Sequence, residues 1–140
     1  NKFCASFKGV VLIDEAYVDF SKEDCIDLAL KFRNTIVMRT LSKSYSLAGL
    51  RVGYVVGAKP LIEALFKIMD SFNLDMFSQL VSLVALSDVK YMQSNVSRIR
   101  RTRIRLAKSL QALGCYVYPS ETNFYGSSLQ ESQRNSYLSG

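Results

Sequence analysis

Short apolar runs separated by polar turns occupy the first part of the chain, and longer stretches with helical spacing follow. Val10-Val11-Leu12-Ile13 is apolar without alternation, comes after Gly9 and gives way to Asp14-Glu15. Continuous apolarity over so few residues predicts a strand covered on both faces, as in a parallel sheet. A helix is predicted at about residues 22–33. Thr35-Ile36-Val37-Met38 then predicts a second strand, leading into Arg39-Thr40-Leu41-Ser42-Lys43. Arg51-Val52-Gly53-Tyr54-Val55-Val56-Gly57 predicts a third, with glycines that suit close packing or a bend. Lys59-Pro60 opens a helix, because proline's fixed φ fits a first helical turn. The spacing of Leu61, Leu65 and Ile68 continues it, breaks at about residues 70–75 and resumes over 76–86. A long helix follows and stops near Gly114. Cys115-Tyr116-Val117-Tyr118 predicts a strand that starts a different unit, and the polar, aperiodic sequence from Tyr125 onward predicts a frayed tail. The expected fold class is α/β, a mostly parallel sheet with flanking helices over residues 1–88. A long connecting helix over 89–114 would lead to the start of a smaller domain with an irregular tail over 115–140.

Composition narrows the chemistry. The 140 residues are the length of one average domain, and 49% hydrophobic content supports a core rather than disorder. No aliphatic run approaches the roughly 20 residues that cross a bilayer, so no membrane partner is expected. The chain has no histidine, which excludes Ser-His-Asp and Cys-His nucleophilic systems, histidine metal sites and imidazole proton transfer within it. Cys4, Cys25 and Cys115 form no Cys-x-x-Cys pair, so neither a metal site nor a disulfide framework is expected. A reducing, cytoplasmic setting fits that cysteine usage. No charged-then-apolar leader opens the chain, and export is not expected.

The formal net charge is +6, and its distribution matters more than its sum. Residues 89–113 hold Lys90, Arg98, Arg100, Arg101, Arg103, Arg105 and Lys108 with no acid, which leaves the remainder slightly acidic. Such a helix could neutralise phosphates. It also carries Val96, Ile99, Ile104, Leu106, Leu110 and Leu113 at spacings compatible with one apolar stripe, the ordinary pattern of a surface or interdomain helix. A solvated basic face is favoured over nucleic-acid contact, because a charge run alone has little specificity.

In open α/β sheets, ligands sit at the carboxyl ends of the strands. Here those ends bear Asp14, Glu15 and Tyr17 after one strand and Thr40, Ser42 and Lys43 after the next. Each has an ordinary alternative: Asp14 as the cap of a turn, Tyr17 as packing, Lys43 as a solvated loop charge. The combination is more specific. Arg51 follows Lys43 by eight residues across Ser46-Leu47-Ala48-Gly49, and a guanidinium with two hydroxyls suits a phosphate monoester. A carboxylate could keep a pyridine nitrogen protonated, a phenol could meet a ring oxygen, and a lysine amine could meet an aldehyde. Pyridoxal 5′-phosphate presents those four groups.

Two segments also resemble a known family. Val11-Leu12-Ile13-Asp14-Glu15-Ala16-Tyr17-Val18-Asp19-Phe20 and Thr40-Leu41-Ser42-Lys43-Ser44-Tyr45-Ser46-Leu47-Ala48-Gly49-Leu50-Arg51-Val52-Gly53-Tyr54 are similar to the signatures of the class I/II, fold-type I aminotransferases. The 29-residue interval from Asp14 to Lys43 fits as well. Asp70-Ser71-Phe72-Asn73 resembles a stretch of the histidinol-phosphate branch, and the likeness runs over about residues 9–124, ending with Thr122-Asn123-Phe124. The resemblance implies part of the large cofactor-binding domain plus the interdomain helix. It implies that Lys43 attaches pyridoxal 5′-phosphate and shuttles protons, and that Asp14 pairs with the pyridine nitrogen. Tyr17 would hydrogen-bond the phenolic oxygen, while Thr40, Ser42 and Arg51 would hold the phosphate. The implied substrates are an amino acid or amino-phosphate and a 2-oxo acid such as 2-oxoglutarate, in histidine biosynthesis, and the implied assembly is a homodimer.

Members of that family are more than twice as long. Their early portion supplies a ring-stacking aromatic residue and an asparagine that contacts the cofactor, and their late portion supplies the arginine that grips the substrate carboxylate. Arg134 is not assigned to that last role. The chain is therefore expected to be a piece of a larger enzyme. Related enzymes with the same cofactor, an aromatic aminotransferase or a threonine-phosphate decarboxylase, would share both segments. A non-catalytic scaffold that associates through exposed apolar edges is the competing expectation.

Overall fold

The computed structural model describes residues 1–129. They form five helices and five strands. A short helix α1 (Lys2–Ser6), for which the sequence pattern had no signal, precedes β1 (Val11–Asp14), α2 (Ile26–Lys31) and β2 (Thr35–Thr40). Then come β3 (Gly53–Gly57), α3 (Lys59–Ile68), α4 (Met76–Ser87), α5 (Val89–Ala112), β4 (Cys115–Val117) and β5 (Ser127–Leu129). Single 3-10 turns lie at Val18–Phe20 and Ala48–Leu50.

The first three strands form one sheet in the order β1-β2-β3. β1 and β2 run parallel, with Val11 opposite Thr35 and Asp14 opposite Met38. β3 runs antiparallel to β2, so the sheet is mixed. The connection fits this: between Thr40 and Gly53 the chain holds a single 3-10 turn and no crossover helix, the element that usually makes a parallel return. Gly53 begins β3 because an added Cβ would lie 2.8 Å from the Arg39 carbonyl oxygen.

The core sits under β2, where Thr35, Ile36 and Val37 are buried together with Val11, Ala29 and Leu41. The expectation that β1 is covered on both faces is corrected: Leu12 is 56% exposed, because side chains alternate and α2 packs against β2 and β3 on one side. α2 is shorter than its apolar spacing suggested. The backbone ahead of it is committed elsewhere, with the Cys25 N–H donating to Glu15 Oε1 and the Ile26 N–H to Asp24 Oδ1 at 3.0 Å.

α4 starts at a well-made cap, where the Asp75 carboxylate accepts from the Ser78 N–H at 2.9 Å. α5 ends at Gly114, whose φ of 82° is the left-handed conformation of a glycine stop. Its inward face differs from the expected stripe. Met92 and Val96 are buried and pack on Phe20, with Ile99 partly buried beside them, whereas Ile104, Leu106 and Leu113 are exposed. Arg100 and Arg103, read as part of a solvated face, turn inward instead. Arg100 donates to the carbonyls of Phe20 at 3.2 Å and Asp19 at 3.1 Å and also to that of Ser21, while Arg103 donates to the Thr122 carbonyl at 2.5 Å. Arg98, Arg101 and Arg105 remain on the exposed side.

β4 pairs antiparallel with β5 in a separate two-stranded sheet. This corrects the frayed tail over Tyr125 to Leu129: Ser127 and Ser128 join the ladder through their backbones, which polar side chains do not prevent. The rest of the predicted tail, including Arg134, lies outside the described residues.

Candidate functional site

The parallel register of β1 and β2 decides where the chemistry-bearing residues meet. Asp14 ends β1 opposite Met38, and the Glu15 N–H donates to the Met38 carbonyl at 2.8 Å, so the chain after β1 runs beside Arg39 and Thr40. The loop after β2 folds back, with the Leu47 N–H on the Leu41 carbonyl and the Leu41 N–H on that of Val52, both at 3.1 Å. This return brings Arg51 to the same end of the sheet. A cleft of about 390 Å³ results, and Asp14, Thr40, Ser42 and Arg51 all line it, with Ala16 and Gly53 among its walls.

Polar groups in this cleft are organised locally and retain free capacity. Asp14 Oδ1 accepts from the Ala16 N–H at 2.9 Å, which realises the turn-capping role. Its second oxygen has no hydrogen-bond partner among the described residues. Thr40 Oγ1 accepts from the Ser42 N–H at 3.1 Å, and its own hydrogen has two acceptors within reach, Ser42 Oγ at 2.9 Å and the Val52 carbonyl at 3.2 Å. Arg51 has φ 56° and ψ 35°, a left-handed conformation for a residue with a Cβ, and its Nη1 donates to the Ala48 carbonyl at 3.0 Å. Ser46 in the same loop has φ 59°. Two strained residues within the loop that carries Lys43 and Arg51 are a pattern associated with functional sites.

Lys43 and Tyr17 do not line that cleft. They meet each other instead, the Lys43 Nζ lying 5.1 Å from the centroid of the Tyr17 ring. Tyr17 also packs edge-on against Phe124 at 5.3 Å. Six candidate residues thus form a group of four around the cleft and an adjoining pair.

Several residues that hold this arrangement were not assigned roles from sequence. Arg39 projects into the cleft wall, yet its Nε lies 2.8 Å from Glu15 Oε2, with Asp24 Oδ2 at 3.4 Å from Nη2. Burial pulls the Arg39 guanidinium's pKa down, but hydrogen bonding to Glu15 and Tyr54 outweighs it and holds the pKa above the ordinary value. Burial first, then the Glu15 carboxylate, pushes the Cys25 thiol up, so it is protonated and no nucleophile at neutral pH. Ser44 is buried and donates to Asp19, and burial followed by the Asp19 charge raises the Tyr45 phenol. Partners 25 or 80 residues apart leave no spacing signal to find.

Comparison with known proteins decides the family. The family model described as aminotransferase class I and II matches residues 1–137. The chain belongs to the class I and II aminotransferases. The match passes Phe124, where the resemblance in sequence was expected to stop. Among curated relatives, this aminotransferase chain is 46% identical over 124 residues to histidinol-phosphate aminotransferase 1 of Trichormus variabilis, covering 89% of the chain and 35% of the relative. It is 47% identical over 121 residues to histidinol-phosphate aminotransferase of Microcystis aeruginosa, covering 86% and 35%. The chain therefore spans about a third of the length of the curated relatives it matches.

Among solved structures, histidinol-phosphate aminotransferase of Sinorhizobium meliloti, in complex with pyridoxal-5′-phosphate, superposes with a TM-score of 0.80 at 27% identity. That match covers 91% of this chain and 36% of the other. The histidinol-phosphate aminotransferase of Clostridium acetobutylicum gives a TM-score of 0.82 over 99% of this chain and 44% of the other; at 20% identity this likeness speaks for the fold alone. The fold is accordingly part of the fold-type I transferase architecture. No helix among the described residues is long and apolar enough to cross a membrane.

Proposed function

We propose that this chain is the central cofactor-binding portion of a pyridoxal-phosphate-dependent aminotransferase that acts on histidinol phosphate with 2-oxoglutarate as amino acceptor, in histidine biosynthesis. The observation that carries the proposal is the convergence of Asp14, Thr40, Ser42 and Arg51 on one cleft at the carboxyl ends of β1 and β2, beside the Lys43–Tyr17 pair. The donor set fits the cofactor. An unpaired carboxylate oxygen suits a protonated ring nitrogen, and a serine hydroxyl with a guanidinium suits a phosphate. When bound, pyridoxal 5′-phosphate supplies an aldehyde and an electron-accepting ring.

The residues divide the work. Asp14 holds the proton on the pyridine nitrogen, Tyr17 donates to the phenolic oxygen, and Thr40, Ser42 and Arg51 hold the phosphate. Lys43 provides the amine for covalent attachment, and as a free amine it moves a proton at the substrate α-carbon. A chain without histidine can carry out that transfer. Curated relatives at 46–48% identity favour the histidinol-phosphate substrate. The reading extends to a cytoplasmic homodimer, to a large-domain portion over residues 1–88 and to an interdomain helix over 89–114.

The test is uptake of pyridoxal 5′-phosphate by the full chain, followed by borohydride reduction and peptide mapping. The expected result is a visible absorbance band and a reduced adduct at Lys43, both lost in Lys43→Ala. Labelling spread over exposed lysines such as Lys67, with no preference for Lys43, would refute the assignment and leave the scaffold reading.

A further inference from the structure

The Lys43 and Tyr17 segments follow different strands, and beyond the register of the sheet a side-chain bond ties them to each other. Tyr17 leads directly into the 3-10 turn Val18–Phe20, in which the Phe20 N–H donates to the Tyr17 carbonyl at 3.0 Å. Asp19 is the middle residue of that turn. Lys43 sits in a turn closed by the Ser46 N–H on the Lys43 carbonyl at 3.2 Å, and Ser44 is the next residue. Ser44 is only 4% exposed, so its hydroxyl needs a protein partner, and it has one in the Asp19 carboxylate.

We infer that Ser44 is a positioning residue for Lys43, acting through Asp19 to hold the lysine turn against the tyrosine turn. The inference rests on the reading of Lys43 as the cofactor-attachment residue. Its physical content is a single charge-assisted hydrogen bond between segments 25 residues apart, with both ends anchored. On one side, Arg100 of α5 donates to the carbonyls of Asp19, Phe20 and Ser21 and Phe20 is buried against Met92 and Val96, so the tyrosine turn is fixed to the long helix. On the other side the lysine turn carries a left-handed Ser46 and is held by its own backbone bonds and by Tyr45, which packs against the same Phe20 cluster. A strained turn needs an outside restraint to stay in one conformation. Tyr45 supplies an apolar restraint on the far side of Ser44, and Ser44–Asp19 supplies a polar one next to the reactive amine, which links the pose of Lys43 to the pose of α5.

The test reads the position of Lys43 both without and with cofactor. Trace acetylation of the full chain, mapped by peptide mass, gives the labelling ratio of half-buried Lys43 to exposed Lys67. In Ser44→Ala the ratio is expected to rise about threefold or more, and the apparent affinity for pyridoxal 5′-phosphate to fall about tenfold, the scale of one hydrogen bond to a charged group. Asp19→Asn keeps an acceptor for the serine hydroxyl but loses the charge, and both readings should fall between those of the parent chain and Ser44→Ala. Because the two residues act through one bond, Ser44→Ala combined with Asp19→Ala should match either single variant. A buried Cys4 thiol that stays unreactive toward a thiol reagent separates release of one turn from loss of fold. An unchanged labelling ratio in Ser44→Ala would overturn the inference, as would single-variant effects that multiply in the double variant. If the parent chain takes up no cofactor, the proposed function fails, and the labelling ratio still decides the Ser44–Asp19 link.

Discussion

Arg51 allows stability and ligand binding to be separated at one position. Its φ of 56° and ψ of 35° are left-handed, and its guanidinium lines the cleft while donating one exposed hydrogen bond to the Ala48 carbonyl. Arg51→Ala removes the guanidinium and keeps the Cβ that makes this backbone unfavourable. Arg51→Gly removes both. A Cβ in the left-handed region costs roughly 1–2 kcal/mol. Glycine returns roughly 0.4–1 kcal/mol of that through a more flexible unfolded chain. The glycine variant should therefore be more stable than the alanine variant by roughly 0.5–1 kcal/mol, a shift of about 2–4 °C in Tm for a chain of this size.

Cofactor binding should not follow that order. Both variants lose the charge-assisted contacts to a phosphate, which costs roughly 1.5–3 kcal/mol, or about 10- to 100-fold in Kd. Thermal unfolding by circular dichroism and titration with pyridoxal 5′-phosphate measure the two quantities independently. Two weakened variants, with Gly above Ala in Tm, is the expected outcome. Parent-like affinity in both would refute the phosphate role of Arg51, and an alanine variant as stable as the glycine variant would refute the strain argument.

Three further outcomes follow from the packing. Arg100→Met keeps the apolar stem but strips the carbonyls of Asp19, Phe20 and Ser21 of their donor, so urea unfolding should show a loss of about 2–3 kcal/mol. Gly53→Ala drives a Cβ to within 2.8 Å of the Arg39 carbonyl oxygen, and the β2–β3 pair should weaken by about 1–3 kcal/mol in the same assay. Hydrogen bonds from Ser78 hold the Asp75 carboxyl below the ordinary aspartate range. A depressed folded-state pKa contributes stability above the unfolded value, near 4, that is lost as pH falls through the folded one. The Tm difference between the parent chain and Asp75→Asn should accordingly shrink on acidification below about pH 4, and a difference that grows instead would contradict the sign.

The cleft was legible in the sequence because its residues are local to strand ends. Once Val10–Ile13 and Thr35–Met38 are recognised as neighbouring parallel strands, Asp14 and Thr40 have to emerge side by side, and the short return to β3 carries Arg51 to them. The small elements were less accessible. β5 offers Ser127 and Ser128 to its partner, and a ladder made by backbone groups alone leaves no apolar alternation to detect. α2 was overestimated because its apolar spacing does not reveal that Glu15 and Asp24 claim the N–H groups of Cys25 and Ile26.

In the basic helix the solvated face holds for Lys90, Arg98, Arg101, Arg105 and Lys108 but not for Arg100 and Arg103, and those two change what the charge of this chain means. Composition treats the seven cations of residues 89–113 as equivalent, so a solvated face and a phosphate-binding face were the two readings available. In the fold, Arg100 and Arg103 lie on the inward side with Met92, Val96 and Ile99 and spend their donors on backbone carbonyls of the tyrosine turn and of Thr122. Guanidinium groups suit that task because a planar fork of donors can satisfy several carbonyls that no helix or sheet pairs. The same two residues that raise the net charge therefore join α5 to the segments on either side of it, Asp19–Ser21 next to Tyr17 and Thr122 next to Phe124. Since Tyr17 and Phe124 touch edge to face, a displacement of α5 would be felt at Tyr17 through both contacts.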